Sequence, residues 1–417
     1  MGKYVTIIDL GTTKIVCLIG EKVNNDKFYK VLAYNEAKSL GIQRGAVENI
    51  RSVVNTVTPI LENIRAKVKI PEIKEVYVGI AGQHVKCIAN RTEVSRNKYD
   101  KEITEEEIKQ LELDAYKISL DPGEKILHAI PQTYSIDGMN NIIDPVGRFG
   151  HKLAGDFHIV VGNAASMTHT DTCITRMGLS LKQLVLEPIA SARAVLTADE
   201  QEVGVVMVDI GGGTTDILIY KGGIVKYTAV IPFGGNIITE DIKKGYGILM
   251  NEAEQIKVEF GSCLSSKVSD DSVIELPGIS GREPRLISVK GVACIIEARL
   301  NEIFDMILKV VHDANCGPLS AGIVLTGGVA HTKHIKDFVY AKTGMYVKIG
   351  IPENISPDSP SNILKPEYST AVGLMMCGFD DALQQSSMDD PADTASGNGF
   401  MRRFSKIVKD FIIPKET

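Results

Sequence analysis

The chain has 417 residues, of which 44% are hydrophobic and 24% charged, a composition that argues against a disordered or collagen-like protein. Its 46 basic and 52 acidic residues leave a formal net charge of −6, which argues against a protein that binds nucleic acid. Seven scattered cysteines without a C-x-x-C pair favour a reducing cytoplasm over a disulfide framework or a structural zinc site. No stretch approaches the roughly 18 apolar residues of a membrane-spanning helix.

The first part of the chain predicts a small sheet with one long helix. Strand-like runs at residues 3–10, 14–20 and 29–37 predict a meander, followed by a helix at 48–68 and a strand at 75–81. Between about residues 84 and 161, strand-like runs alternate with turns around one charged helix at 104–118. Thr104 and Glu107 give that helix a capping-box pattern. We expect this stretch to be an inserted α+β subdomain.

A second meander follows the inserted stretch. The expected helices lie at residues 171–177, 189–196, 237–244, 251–260, 287–313 and 369–377. The expected strands lie at residues 181–186, 203–210, 216–220, 225–231 and 319–325. Residues 381–399 are rich in Ser, Asp and Gly, which predicts a flexible linker.

An internal repeat is the main functional signal. Residues 7–14 and 208–216 each consist of a buried strand that ends in Asp, a Gly/Thr turn and the start of another strand, about half the chain apart. Either turn alone is typical of an ordinary hairpin, but two copies favour a phosphate clamp. Glycine lets backbone N–H groups approach phosphate oxygens, and threonine hydroxyls add donors. The residues concerned are Gly11, Thr12, Thr13, Lys14, Gly211, Gly212, Gly213, Thr214 and Thr215.

Acidic residues near these turns are candidates for metal binding and catalysis. Asp9 and Asp209 end their strands and could hold Mg²⁺, mainly through its water ligands. Glu187 ends a strand and could position an attacking water; it could equally be a helix-entry acid. Glu254 and Lys257 lie three apart on one helix and could reach a ribose or purine, or form a surface ion pair. Gly327 and Gly328 could let the nucleoside lie against backbone.

These motifs resemble those of the actin/Hsp70/hexokinase superfamily. The two phosphate motifs correspond to residues 9–14 and 209–216, the connecting helices to 187–192 and 369–374, and the adenosine motif to 325–330. The resemblance implies an α/β, actin-like two-lobed fold with duplicated mixed β-sheets flanked by helices, and ATP with Mg²⁺ in the cleft between the lobes.

Within the superfamily, the chain resembles the bacterial cell-division family FtsA. The subdomain at residues 84–161 stands where that family carries its relocated subdomain, and Asp144, Pro145, Gly147 and Leu153 resemble a stretch of it. The turn at Gly234, Gly235 and Asn236 resembles the family's phosphate-side turn, and residues 253–257 its nucleotide helix. The implied segments are 1–83 and 162–200 (first lobe), 84–161 (insertion), 201–236 and 311–368 (second lobe), 237–310 (its outer subdomain), 369–380 (returning helix), 381–399 (linker) and 400–413 (amphipathic helix).

The last segment predicts a membrane-targeting helix. One helical face of residues 400–413 is apolar and the other basic, a division typical of helices that lie in the headgroup plane of anionic lipid. A helix docked on the protein's own core is the alternative, and the polar linker argues against it. The residues concerned are Phe400, Met401, Arg402, Arg403, Phe404, Lys406, Ile407, Val408, Lys409, Phe411 and Ile412.

The resemblance implies an ATP-binding filament former at the division site, on the cytoplasmic face of the plasma membrane. It implies binding to the C-terminal peptide of FtsZ and to later divisome proteins, and at most weak ATPase activity. Arg299 lies in a segment similar to the family's peptide-binding helix, although a plain surface helix is the alternative. A small-molecule kinase and a pilus-assembly ATPase of the same superfamily remain alternatives. No distinctive substrate motif supports the kinase, and the basic tail argues against the pilus protein.

Overall fold

The computed structural model describes residues 3–22, 28–68, 73–82, 85–97, 99–276 and 283–386. The strands are β1 (Lys3–Leu10), β2 (Lys14–Lys22), β3 (Lys30–Lys38), β4 (Ile42–Gln43), β5 (Ala46–Val47), β6 (Glu75–Ile80), β7 (Lys86–Ser95), β8 (Glu124–Ile136), β9 (Met139–Ile142), β10 (Lys152–Asn163), β11 (Ser180–Leu186), β12 (Val205–Ile210), β13 (Thr215–Lys221), β14 (Ile224–Ile231), β15 (Val273–Leu276), β16 (Arg285–Ser288), β17 (Gly322–Thr326) and β18 (Val347–Ile349). The helices are α1 (Ile50–Lys67), α2 (Glu105–Asp114), α3 (Ala164–Arg176), α4 (Glu187–Val195), α5 (Ala198–Val203), α6 (Gly235–Tyr246), α7 (Met250–Phe260), α8 (Val289–Ala314), α9 (Ile335–Thr343) and α10 (Ser369–Ser386).

Two mixed sheets of the same topology form the two lobes. The first has the order β3-β2-β1-β6-β11 and the second the order β14-β13-β12-β17-β18. Each sheet begins with an antiparallel meander and continues with two parallel strands. Asp9 pairs with Val16 in the first sheet, and Asp209 pairs with Asp216 at the equivalent place in the second. The duplication predicted from the repeated motif is therefore confirmed.

The central strands are buried on both faces because helices cover each sheet on both sides. Every residue of β12 is buried, and its side chains alternate between two hydrophobic cores. Val205 and Met207 pack into the core of the first lobe, while Val206 and Val208 pack into the core of the second. The second lobe therefore shares packed surface with the first, which holds the two sheets together.

The inserted subdomain has a four-stranded antiparallel sheet of its own, in the order β7-β10-β8-β9, with α2 packed on it. Thr104 and Glu107 form the predicted capping box at the start of α2. The sheet also contacts the second lobe through Thr228 of β14. The Thr228 hydroxyl lies 2.6 Å from Cys87 Sγ and 3.1 Å from His158 Nε2. The insertion is therefore braced against both lobes.

Two helices, α4 and α10, pass between the lobes and pack closely on each other. Gly373 of α10 lies so near Ala190 of α4 that a Cβ at Gly373 would stand 1.7 Å from the Ala190 carbonyl oxygen. Farther along, Arg193 Nε donates to Asp380 Oδ2 at 3.0 Å, and Arg193 Nη2 donates to Tyr29 at 3.0 Å. This crossing links both connecting helices to the edge of the first sheet.

The element boundaries differ from the sequence predictions at two informative places. Helix α3 begins at Ala164, seven residues before the predicted start, because the Asn163 side chain accepts from Ala165 N and Ser166 N and caps the helix there. Helix α10 continues to Ser386, six residues into the predicted linker. The remainder of that linker and the predicted amphipathic helix at residues 400–413 lie outside the described residues.

Replacing Gly373 with alanine is expected to destabilise the protein, although alanine usually favours a helix. The new methyl group would overlap the backbone of Ala190 and force α4 and α10 apart, at a cost of about 1–3 kcal/mol. Thermal unfolding measures the effect. Gly245→Ala in α6 is the control, because the one atom near its Cβ is the end of the Ile295 side chain, which can move. Equal unfolding midpoints for the two variants would contradict the tight crossing.

Candidate functional site

The two Gly/Thr turns face each other across one cavity. We call residues Gly11–Lys14 the first loop and residues Gly211–Thr214 the second loop. A Cβ at Gly212 would stand 1.8 Å from Thr13 Oγ1, and one at Gly213 would stand 2.5 Å from Thr12 Oγ1. Both loops line a cavity of about 400 Å³. Glycine is required in the second loop because its backbone lies against the threonines of the first.

Four carboxylates converge on this cavity. Asp9 and Asp209 come from equivalent positions of β1 and β12, Asp216 comes from β13, and Glu187 begins α4. Burial raises the pKa of Asp9 to about 7; nearby Lys14 lowers it and Asp209 adds to the rise. Burial, then Asp209, raises the pKa of Asp216 to about 8. Burial and the charges of the three aspartates hold the pKa of Glu187 well above its usual range.

A residue from each connecting helix donates a hydrogen bond to Asp209. Ser191 of α4 donates to Asp209 Oδ2 at 2.8 Å, and Thr370 of α10 donates to the same oxygen at 3.2 Å. Burial nevertheless raises the pKa of Asp209, with the two hydrogen bonds acting in the opposite direction. Asp209 therefore joins the cavity to the crossing of α4 and α10.

Asp216 is a site carboxylate that was not among the residues predicted from the sequence. Thr214 Oγ1 donates to Asp216 Oδ2 at 3.1 Å, whereas Asp216 Oδ1 is buried with no hydrogen-bond partner in the described part of the chain. An unpartnered buried carboxylate oxygen is costly unless a cation or water reaches it. The strand pairing of Asp209 with Asp216 was the signal that could have identified this residue.

Lys14 contacts residues on the rim of the cavity. Its Nζ lies 3.2 Å from Glu36 Oε2 and 3.4 Å from the centre of the Tyr368 ring. The Tyr368 hydroxyl donates to the same oxygen of Glu36 at 3.0 Å. The predicted phosphate ligand thus borders the cavity while paired with Glu36 and packed on Tyr368.

Two residues predicted to bind phosphate do not line the cavity. Thr215 pairs with Ile210 in the sheet, and its hydroxyl donates to the Phe233 carbonyl at 2.8 Å. Successive strand residues face opposite ways, so Asp216 faces the cavity and Thr215 cannot. Gly234 lies behind the second loop, where a Cβ would stand 2.5 Å from the Gly211 carbonyl oxygen. These two residues support the loop from behind.

The turn that precedes α6 braces the second loop. Gly235 N donates to the Gly211 carbonyl at 2.8 Å, and Asn236 N donates to the Gly212 carbonyl at 2.8 Å. Both residues also line the cavity. Backbone hydrogen bonds of this kind fix the loop without using its own N–H groups at residues 212 and 213.

The predicted pair on α7 lies at the other end of the cavity. Lys257 Nζ donates to Glu254 Oε2 at 2.7 Å, to Thr239 Oγ1 at 2.8 Å and to the Gly235 carbonyl at 3.1 Å. Apolar side chains also line this part of the cavity. Val329 belongs to the predicted adenosine motif at residues 325–330, whereas the other three were not predicted from the sequence: Ile238, Val258 and Ile296. This end of the cavity combines apolar walls with one carboxylate and one ammonium group.

The turn after β17 needs glycine for steric reasons. Gly327 has a φ of 83°, and a Cβ there would stand 2.4 Å from Asp209 Oδ1. Gly328 also lines the cavity and has open space in front of it. Beyond it, His331 contacts Glu367 at the cavity edge. Burial would raise the pKa of Glu367, but the hydrogen bond with His331, a backbone hydrogen bond and the charges of His331 and Lys14 together lower that pKa.

Arg299 lies away from this cavity, on α8. Its guanidinium donates to Asp241 at 2.6 Å and 3.1 Å and also contacts Glu302. These contacts within the chain compete with any acidic partner.

The donor set fits a divalent cation held partly by water and ligand oxygens. The buried Asp9, Asp209 and Asp216, the half-buried Glu187 and the unpartnered Asp216 oxygen provide negative charge that a cation would offset. Within the described ranges, no group of three or more His, Cys, Asp or Glu side chains is arranged to hold a metal directly. Mg²⁺, which keeps several water ligands, suits this arrangement.

Comparisons with family models and curated proteins converge on one family. A model described as "Cell division protein FtsA" matches residues 206–373, and one described as "SHS2 domain inserted in FTSA" matches residues 82–161. The cell division protein FtsA of Neisseria meningitidis is 34% identical over 98% of this chain and 98% of its own length. Its counterpart in Escherichia coli K12 is 32% identical over 97% of both chains.

Solved structures share the fold at low sequence identity. A chain of a PilM–PilN type IV pilus biogenesis complex matches with a TM-score of 0.63 and 14% identity, covering 90% of this chain and 98% of that one. MreB5 of Spiroplasma citri bound to ADP matches with a TM-score of 0.55 and 14% identity, covering 93% and 99%. A MamK double helical filament matches with a TM-score of 0.52 and 13% identity, covering 89% and 98%. The predicted actin-like fold is confirmed.

Replacing Asp216 with asparagine is expected to stabilise the ligand-free protein, and more at pH 8 than at pH 5. The folded pKa of about 8 lies above the ordinary value of 3.8, so the folded protein binds the proton more tightly and the wild type loses stability as the pH rises between these values. Asparagine removes that loss. The increase in unfolding free energy caused by the substitution should be larger at pH 8 than at pH 5 by about 1 kcal/mol or more, the equivalent of one pKa unit.

Chemical unfolding at the two pH values, without added metal, measures this difference. Asp100→Asn is the control, because Asp100 is an exposed aspartate in a turn of the insertion. A gain for Asp216→Asn that does not grow with pH would show that the carboxylate is not held at an elevated pKa.

Proposed function

Because the chain belongs to the FtsA family of cell division proteins, we propose that it binds ATP with Mg²⁺ and assembles with copies of itself on the cytoplasmic face of the plasma membrane. There it would tether the FtsZ ring at the division site and recruit later divisome proteins. The observation that carries the nucleotide part is the pair of Gly/Thr loops that line one cavity together with three buried aspartates and Glu187. Titration of the purified chain with ATP and Mg²⁺ tests it.

The nucleotide would lie along the cavity from the loops to α7. Backbone N–H groups and hydroxyls of the first and second loops would hold the phosphates, and Asp9 and Asp209 would hold Mg²⁺ through its waters. Bound Mg²⁺ would offset charge on the phosphates. Glu254 and Lys257 stand beside the apolar walls, where a ribose and a base would fit. MreB5 of Spiroplasma citri has been solved bound to ADP and also bound to AMPPNP, which supports a nucleotide for this fold.

Hydrolysis is expected to be weak at most. We assign to Glu187 the positioning of a water molecule, a role that requires its charged form. Burial and the neighbouring aspartates raise the pKa of Glu187 well above its usual range, so the ligand-free site disfavours the charged form that this role needs. ATP would act chiefly as a structural and switching ligand.

The proposed protein partners are further copies of this chain and the C-terminal peptide of FtsZ. A filament of MamK shares the fold, which supports self-association of this chain. The FtsZ C-terminal peptide would bind near Arg299, where an acidic peptide must displace Asp241 or Glu302 from the guanidinium. Such competition predicts modest affinity for a single peptide.

Membrane attachment would use residues 400–413. In the part of the chain that the structure describes, no helix is both long and apolar enough to cross a bilayer. Residues 398–417 contain five basic and two acidic residues, which suits anionic lipid. A single short helix binds weakly, and a filament that carries many such helices would bind through their combined effective concentration.

Replacing Gly212 with alanine is expected to weaken binding of ATP with Mg²⁺ by about tenfold or more, because the methyl group would push the second loop off Thr13 and open the clamp. Calorimetric titration measures the change. Gly211→Ala is the matched control in the same loop, where the nearest atom to a Cβ lies 3.5 Å away. Comparable losses in both variants would contradict the requirement for close contact between the loops.

Removing the tail is expected to abolish sedimentation with anionic vesicles in the presence of ATP. The truncated chain should end at Ser386 so that α10 stays complete. A full-length control with Lys406→Glu and Lys409→Glu keeps the length and the apolar face but reverses two charges. It should bind anionic vesicles more weakly than the wild type. Equal sedimentation of the full and truncated chains would refute the tether.

A further inference from the structure

A strained arginine stands at the tip of a small hairpin in the first lobe. Strands β4 and β5 pair through Ile42 with Val47 and Gln43 with Ala46, and the turn between them consists of Arg44 and Gly45. Arg44 has a φ of 48° and Gly45 a φ of 74°, so both residues are in the left-handed region. Hairpins of this type prefer Asn-Gly at these positions because most other L-residues are disfavoured in the left-handed region.

The hairpin is held firmly against the first loop. Ile42 and Val47 are buried in the core of the lobe, and Gly45 N donates to Thr12 Oγ1 at 3.1 Å. A Cβ at Gly45 would stand 3.1 Å from the backbone of Ala81 and Gly82. The turn therefore has little freedom, and the left-handed conformation of Arg44 follows from its anchors rather than from a loose loop.

Arg44 is adjacent in sequence to a residue of the cavity, and its side chain is exposed. Gly45 lines the cavity, whereas Arg44 itself is exposed. Among the described residues, no hydrogen bond or ion pair involves its guanidinium. Strain at a non-glycine residue beside a ligand cavity is a reason to look for a role there.

The cavity has too few cations for a triphosphate. Of the lysines that line it within the described ranges, Lys14 is paired with Glu36 and Lys257 with Glu254. Four carboxylates face the same space, and the phosphates of a nucleotide would add several negative charges. One Mg²⁺ offsets two of them, so a further cation near the loops would favour the terminal phosphate.

We propose that Arg44 contacts the terminal phosphate of the bound nucleoside triphosphate and so makes the site prefer a triphosphate over a diphosphate. A guanidinium presents several N–H donors in a plane that matches phosphate oxygens. The hairpin places Arg44 next to Gly45, which lines the cavity and whose N–H donates to Thr12 of the first loop. The inference rests on the proposed nucleotide function and adds to it the residue that distinguishes a triphosphate from a diphosphate.

Calorimetric titration of the full chain with a non-hydrolysable ATP analogue and with ADP, both with Mg²⁺, tests the inference. Arg44→Ala should lose about tenfold or more in affinity for the triphosphate, and less than about twofold for ADP. Arg44→Lys should retain part of the preference, because it keeps the charge and loses the planar donors. Arg51→Ala is the matched control, an exposed arginine on the adjoining helix α1, and should leave both affinities unchanged.

Arg44→Asn separates function from folding. Asparagine tolerates the left-handed region, so this variant should unfold at a higher temperature than the wild type and still lose the preference for the triphosphate. If Arg44→Ala and Arg44→Asn keep the wild-type preference, the inference is wrong while the nucleotide function stands. If the wild type binds neither nucleotide, the proposed function fails first and this inference with it.

Discussion

Asp9, Glu187, Asp209 and Asp216 converge on one buried cavity, where burial and mutual repulsion both disfavour their charged forms. The hydroxyls of Ser191, Thr214 and Thr370 satisfy some of their oxygens and cannot cancel the charge. The fold thus maintains an electrostatic cost that a bound cation would relieve. Acids clustered in this way favour binding of a cation at the expense of the stability of the ligand-free protein, because a ligand that binds the folded state stabilises it.

The sheets of the two lobes have the same topology, but different residue types occupy several of their equivalent positions. Ile15 and Val16 of the first lobe occupy the strand positions that Thr215 and Asp216 occupy in the second. Likewise, the first loop ends in Lys14, and Thr214 stands at the corresponding position of the second. One half therefore brings a cation and the other an extra carboxylate. This inequality suits the proposed ligand, whose phosphates would lie against both loops and whose metal would lie nearer the more acidic half.

Local patterns in the sequence predict most of the fold and much of the site. Strand periodicity and the repeated Asp-Gly-Thr motif correctly placed Asp9, Asp209 and the two loops, because these features are set by neighbours along the chain. The pairing of Lys14 with Glu36 and Tyr368 depends on residues 22 and more than 350 positions away, which no local pattern encodes. Thr215 was misplaced for a different reason. The Gly/Thr motif suggested a hydroxyl donor at this position, whereas the alternation of strand side chains turns Thr215 away from the cavity.

The crossing of α4 and α10 is connected to the cavity through Asp209. Ser191 and Thr370 belong to the two helices that cross between the lobes, and both donate to the same oxygen of Asp209. Gly373 lies against the backbone of Ala190, so α4 and α10 cannot move closer together at this point. A ligand that draws Asp209 toward a metal must therefore pull on both helices together. Arg193 and Asp380 tie the far ends of the same helices to each other, and Arg193 also reaches Tyr29 at the edge of the first sheet. In the proposed function, binding of nucleotide and metal at Asp209 would reach the lobe boundary through these hydrogen bonds and this backbone packing, which is the coupling that a nucleotide-switched filament subunit requires.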